Sequence, residues 1–146
     1  MRLRHLSWKE VEDAIAILTG MMTKLREDYP DQYPTAIYGE PRGGLIPAIM
    51  LSHRLNLPLI QEKPIGLEHR FLWIDDINDS GKTLSTAIYK NQAGVMLSWT
   101  LCKKNRTLLP TNFGILVEDD EWVVFPWEDP SQAEADFKLY QQNHHA

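Results

Sequence analysis

Phe71-Leu72-Trp73-Ile74-Asp75-Asp76-Ile77-Asn78-Asp79-Ser80-Gly81-Lys82-Thr83-Leu84 is the stretch whose reading decides the fold. Phe71 to Ile74 is an apolar run of the length of a strand buried on both faces. Asp75 and Asp76 end it, Asp79 follows, and Ser80-Gly81-Lys82-Thr83 leads into a helix-forming segment from Leu84 to Tyr89. In an open α/β sheet this order sets the loop at the carboxyl edge of the strand, where ligands bind. Backbone N–H groups in such a loop, backed by a helix N-terminus, cradle an anion. The segment thus offers acceptors for hydroxyls or a metal beside donors for a phosphate, and a sugar phosphate requires that pairing.

Two plainer readings compete. Gly81-Lys82-Thr83 matches the end of a P-loop, but the first glycine of G-x-x-x-x-G-K-[ST] falls on Asp76, whose charge repels the phosphate such a loop wraps. An acidic turn that only caps the following helix is the other.

The whole chain narrows the choice. Its 146 residues suit one domain, 1–146, with a core of useful size. Hydrophobic residues at 43% and charged residues at 24% are ordinary values for a globular protein. No apolar run approaches the roughly 18 residues of a membrane span, and no signal peptide precedes Ser7. Cys102 is the only cysteine, which excludes an intrachain disulfide and a cysteine-based zinc site and fits a reducing cytoplasm. A net charge of −5 argues against a nucleic-acid surface, so an anionic substrate is drawn in locally.

Ser7-Trp8-Lys9-Glu10 has capping-box spacing, and Trp8, Val11, Ile15, Leu18, Met22 and Leu25 line one face of a helix to about residue 28. Tyr29 to Pro34 is a turn-rich connector. Thr35 to Tyr38 reads as the first strand of the sheet. Gly39-Glu40-Pro41-Arg42-Gly43-Gly44 and an amphipathic helix from Leu45 to Leu55 follow, with Pro47 tolerated in its first turn. Glycines ahead of a helix let backbone approach a ligand, and Arg42 adds a fork-shaped cation suited to phosphate; a plain strand-to-helix turn with a solvated arginine is equally compatible. Leu57 to Ile60 reads as a second strand, joined to the central one by only ten residues, Gln61 to Arg70. Val95 to Leu101 is the next, ending in Cys102-Lys103-Lys104-Asn105-Arg106. Ile115 to Val117 and Trp122 to Phe125 are strands around an acidic turn. Asp129-Pro130 caps a closing helix with Ala133, Phe137 and Tyr140 on one face, and His144 and His145 fall in a frayed tail.

The central stretch resembles the phosphoribosyl-pyrophosphate signature of type I phosphoribosyltransferases: an apolar strand, two acids, two spacers, then Asp-Ser/Thr-Gly-x-Thr, with Asn78 where an apolar spacer is usual. Pro41-Arg42-Gly43-Gly44-Leu45-Ile46-Pro47 resembles the family's pyrophosphate loop, and Trp122-Val123 with Pro126-Trp127-Glu128 resembles the base-binding segment of its bacterial xanthine–guanine members. The likeness runs from about Trp8 to Glu128. It implies an α/β fold with a central, mostly parallel sheet flanked by helices and a small C-terminal base-binding hood segment.

The resemblance also assigns roles. Asp75 and Asp76 bind the ribose hydroxyls directly or through Mg2+; Asp79, Ser80, Gly81, Lys82 and Thr83 hold the 5′-phosphate; Arg42, Gly43 and Gly44 hold pyrophosphate. Asp79 doubles as the catalytic proton acceptor. Lys103, with Lys104 as second choice, reaches the 6-oxo group of a purine, Trp122 stacks on the base and Val123 reads its edge through the main chain. By the same likeness the Pro41–Arg42 peptide is cis. The implied activity is Mg2+-dependent transfer of a phosphoribosyl group from phosphoribosyl pyrophosphate to a purine base in a cytoplasmic dimer or tetramer, without nucleic-acid or membrane partners. Catalytic members carry a longer mobile hood where this chain has Gln61 to Arg70, so a non-catalytic domain binding a nucleotide or phosphoribosyl pyrophosphate as a sensor is the rival. A magnesium-dependent phosphohydrolase is a weaker third, since no nucleophile or second carboxylate cluster is evident.

Overall fold

The computed structural model describes residues 1–62, 70–90, 95–107 and 112–144. The elements run β1 (Arg2–His5), α1 (Trp8–Asp28), a 3-10 turn (Pro30–Gln32), β2 (Ala36–Gly39), α2 (Leu45–Leu55) and β3 (Leu59–Ile60). Then follow β4 (Arg70–Asn78), α3 (Lys82–Lys90), β5 (Val95–Lys104), β6 (Asn112–Val117), β7 (Glu121–Val124) and α4 (Pro130–His144).

Five strands form one sheet in the order β3-β2-β4-β5-β6, and every pair in it is parallel. β4 lies at its centre, and its run from Phe71 to Asp75 is buried. Leu72 and Ile74 join Val11, Ile15, Leu18, Ala48 and Leu51 in the main core, under α1 and α2. Phe71 and Trp73 meet Leu84 and Ala87 of α3 in a second cluster. The two helices that follow β2 and β4 therefore pack on opposite faces. β2 leads outward to β3 while β4 leads the other way to β5, so the strand order reverses between β2 and β4. The crevice beyond their carboxyl ends is where such folds take ligands.

α1 begins as its capping box requires: Ser7 Oγ accepts from the Glu10 amide at 3.1 Å and Glu10 Oε1 accepts from the Ser7 amide at 3.2 Å. Asp129 Oδ1 likewise accepts from the amides of Ser131 and Gln132 to start α4. Several elements differ from the sequence reading, among them β5, which runs on through Lys104, and β6, which begins at Asn112. β4 continues through Asn78, so Asp75 and Asp76 stand inside the strand and not in a turn after it. β1 was not expected, because Arg-Leu-Arg-His carries no strand-like apolar alternation. It pairs in parallel with β7 to make a separate two-stranded sheet. His144 belongs to the last turn of α4, stacked on Tyr140 at 4.0 Å between ring centroids; His145 and residues 63–69 of the short connector lie outside the described residues.

The loop after β2 is pressed onto the end of β4. The Glu40 amide donates to the carbonyl of Ile74 at 2.8 Å. A Cβ added to Gly44 would lie 2.5 Å from that carbonyl oxygen and 2.6 Å from the oxygen of Glu40. Only backbone atoms stand in the way, so relief requires the loop to move off the strand. Gly44→Ala is expected to lower stability by about 1–3 kcal/mol, measured by urea unfolding; a loss under about 0.5 kcal/mol, the scatter of surface substitutions, would show that the loop yields freely.

Candidate active site

A cavity of about 480 Å3 lies between Arg42, Gly43 and Asp76 and the start of α4, and two others meet at the carboxyl edge of β4 itself. The larger of these two, of about 470 Å3, is lined by Glu40, Arg42, Gly43, Asp75, Asp76 and the loop from Asp79 to Thr83. The smaller, of about 120 Å3, is lined by Lys104, Trp122, Val123, Phe125 and Tyr140 among others. Ile77 and Asp79 border both, so Asp79 stands at the junction of a polar chamber and an aromatic one.

The polar chamber is built from two loops tied to one strand. The Pro41–Arg42 peptide is cis, as the resemblance implied. Beyond it the backbone abuts Asp76: a Cβ on Gly43 would fall 1.8 Å from Asp76 Oδ2. Trp73 Nε1 donates to Glu40 Oε2 at 3.1 Å, which holds a further carboxylate at the rim. Opposite, Gly81 turns the chain at φ 83°, a left-handed conformation that suits glycine. Ser80 Oγ accepts from the Lys82 amide at 3.3 Å as α3 begins. Arg42 and Lys82 bring positive charge to a chamber that also holds Glu40, Asp75, Asp76 and Asp79.

Asp79 is held on two sides. Arg106 Nη2 donates to its Oδ1, and Thr107 Oγ1 donates to its main-chain oxygen. Thr107 also donates to the carbonyl of Asn78 at 3.2 Å. The turn after β5 therefore clamps the acidic loop, and the Arg106 amide is in turn fixed by Asp119 Oδ1 at 2.7 Å. Arg106 was not singled out from the sequence; its partner lies 27 residues away, and no local spacing connects them.

The aromatic chamber corrects one assignment. Lys103 does not line it; its ammonium stands 5.6 Å from the centre of the Phe113 ring. Adjacent residues of a strand point to opposite faces, and Lys104 is the one that borders the chamber. Lys104 is 3% exposed, and its Nζ donates to the carbonyls of Glu118, Asp119 and Glu121. Burial pulls its pKa below the ordinary lysine value. It therefore anchors the turn that presents Trp122.

Gly44 requires a second correction. Its amide donates to the carbonyl of Glu40 at 2.9 Å, because the residue caps α2. That N–H is spent, which leaves Arg42 and Gly43 as the members of the loop that face the chamber. Val123 lines the aromatic chamber. The carbonyl of Asp120 accepts from the Arg2 amide of β1, and that of Val124 from Leu6 just after β1. Alternation along the strand turns those of Glu121 and Val123 the other way, and the Glu121 oxygen indeed meets Lys104. Trp122 packs on α4, its ring centre 5.0 Å from that of Tyr140 and 5.9 Å from that of Phe137.

No protein-family model matches the chain. It is 30% identical to a purine phosphoribosyltransferase of solved structure from Pyrococcus horikoshii, across 88% of this chain and 96% of that one, with a TM-score of 0.69. It is 26% identical to the xanthine-guanine phosphoribosyltransferase of Cereibacter sphaeroides, across 85% and 86% of the two chains. The fold is also that of the Helicobacter pylori xanthine-guanine-hypoxanthine phosphoribosyltransferase, at 21% identity, 97% and 99% coverage and a TM-score of 0.62. The chain belongs to the type I phosphoribosyltransferase family. Among its described residues no helix is long and apolar enough to cross a membrane.

Burial, and then the charge of Asp76, pushes the Asp75 carboxyl up to about 8 from an ordinary 3.8; burial raises Asp76 as well. Between those values the folded chain holds a proton that the unfolded chain has released. The contribution of Asp75 to stability is thus complete below about pH 4 and is lost as pH rises toward 8. Asp75→Asn removes the buried charge, so its melting temperature should exceed that of the parent by a margin that widens from pH 5 to pH 8, reaching a few degrees. Calorimetric scans that give a constant margin would count against this electrostatic origin.

Proposed function

We propose that the chain transfers a 5-phosphoribosyl group from phosphoribosyl pyrophosphate to a ring nitrogen of a 6-oxopurine (guanine, xanthine or hypoxanthine), releasing pyrophosphate. The observation that carries this reading is the position of Asp79 between a phosphate-and-sugar chamber and an aromatic one. The new bond from base to sugar forms at such a junction.

The 5′-phosphate rests in the loop from Asp79 to Thr83, on backbone amides, the Ser80 and Thr83 hydroxyls and the N-terminus of α3. Asp75 and Asp76 accept from the ribose hydroxyls, and Arg42 with the Gly43 amide takes the pyrophosphate. The bond from sugar carbon to pyrophosphate oxygen breaks as the ring nitrogen attacks, and positive charge develops on the ribosyl ring. Catalysis is then positioning and electrostatic stabilisation. As the base bonds through one ring nitrogen it releases the proton of another, N7, and Asp79 is placed to accept it while Arg106 keeps the carboxylate oriented.

Asp75 and Asp76 are hard-oxygen donors, desolvated and mutually repelling, and so they fit magnesium. Among the described residues no three acidic, histidine or cysteine groups converge to hold an ion alone, which matches a cation carried mainly by substrate oxygens. Magnesium bound there would offset the charge of the departing diphosphate. Trp122 stacks on the purine, the Val123 carbonyl accepts from its edge, and Lys104 donates to the 6-oxo group. A homo-oligomer in the cytoplasm completes the proposal. The sensor reading is favoured by the ten-residue connector from Gln61 to Arg70, too short for the mobile hood of catalytic relatives.

Incubation with phosphoribosyl pyrophosphate, magnesium and each purine tests this directly: nucleotide and pyrophosphate should appear in equal amounts. Binding without turnover would leave the sensor, and release of inorganic phosphate would point to a hydrolase. Asp79→Asn should lower kcat by about 100-fold or more while changing substrate binding little; equal loss of both would remove its role as proton acceptor. Lys104→Ala should raise KM for the base by about tenfold, against little change for Lys103→Ala, and the reverse order in steady-state kinetics would reinstate Lys103.

A further inference from the structure

We propose that Tyr140 of α4 is the outer wall of the base site, so that the closing helix serves as the cover under which the purine is held. This rests on the reading of the aromatic chamber as the base site. α4 has 15 residues, yet only Ala133 is recorded as buried along it. A helix of that length draws its stability in a protein from packing of one face. The packing here is concentrated on a single side chain: Phe137 and Tyr140, three residues apart and so on one face, both lie against Trp122. Tyr140 borders the 120 Å3 chamber together with Trp122, Asp79 and Lys104. Its ring is stacked with the His144 imidazole, with 22° between the planes, and His144 Nδ1 lies 2.9 Å from the Tyr140 carbonyl.

The ring of Tyr140 is thus braced from within its own helix and borders a slot that also holds the Trp122 indole, the Asp79 and Glu121 carboxylates and the Lys104 ammonium. The two rings touch and meet at 46°, so they form a corner in which a flat heterocycle stacks on the indole and abuts the phenol ring, its edges left to the polar groups. A wall at this position also excludes water from the carbon at which the sugar bond forms. Trp122 therefore has two duties, one toward the base and one toward the helix that covers it.

Calorimetric titration of the full chain with guanosine 5′-monophosphate and, separately, with magnesium phosphoribosyl pyrophosphate tests the assignment. Tyr140→Ala should weaken the nucleotide by about tenfold and raise KM for guanine by a similar factor. Its affinity for phosphoribosyl pyrophosphate should stay within about twofold of the parent, which also certifies that the variant is folded. Tyr140→Phe, which keeps the ring, should recover most of the lost affinity. Nucleotide affinity unchanged within about twofold in Tyr140→Ala, or equal loss toward both ligands, would overturn the wall. A parent protein that binds the nucleotide but forms none from any purine would overturn catalysis and leave the wall standing on the titration. A parent that does not bind the nucleotide would overturn both.

Discussion

The amide of Glu40 reaches the carbonyl of Ile74 at 2.8 Å, and this one bond between the end of β2 and the middle of β4 sets the distance on which the site depends. It draws a glycine-bearing loop across the sheet edge until the backbone at Gly43 rests on the Asp76 carboxylate. Were the loop to stand away from the strand, the backbone at Gly43 would no longer meet the Asp76 carboxylate. Parallel strands make the arrangement possible. In a fully parallel sheet every strand presents its carboxyl end at the same edge, so loops from β2, β4 and β5 converge without the chain doubling back.

The convergence is electrostatically expensive, and the expense has a direction. Asp75 is almost fully buried beside another carboxylate, and Glu40 is held at the same rim by Trp73. Such a group is uncomfortable when charged and unaccompanied. It is best satisfied by ligand hydroxyls or by a cation, so the chamber is shaped for a partner that brings donors or positive charge. Asp79 differs in having Arg106 at its carboxylate, a cation at the boundary between the chambers; among the described residues no ion pair is made by Asp75.

Much of this could be read from the residues. The run Phe71 to Leu84 announces the strand, the acids and the phosphate loop, since a buried parallel strand is an uninterrupted apolar stretch and a loop that binds anions needs glycine. Ser7 to Glu10 marks the start of α1 for an equally local reason. What escaped depends on contacts distant in sequence. β1 is legible only through its partner β7, because Arg2 and Arg4 are polar and its pairing lies some 119 positions away. Lys103 and Lys104 are told apart by which face of β5 each occupies, and a shift of a single residue exchanges them. Gly44 matches the loop pattern as well as Gly43 does, and only the hydrogen bond to Glu40 reveals that its amide is already committed.

The parallel ribbon of β1 and β7 divides the labour of the chain in a particular way. In the proposed function, sugar and phosphate fall to the loops that follow β2 and β4. The heterocycle falls to the chamber that β7 and α4 border together with Lys104, and β7 is steadied by β1 and by the paired contacts of Arg2 with Asp120. On that proposal, substitutions in β7 and α4 retune which ring is accepted while the phosphoribosyl machinery is left intact, and a common sugar donor is inherited unchanged as the acceptor diversifies.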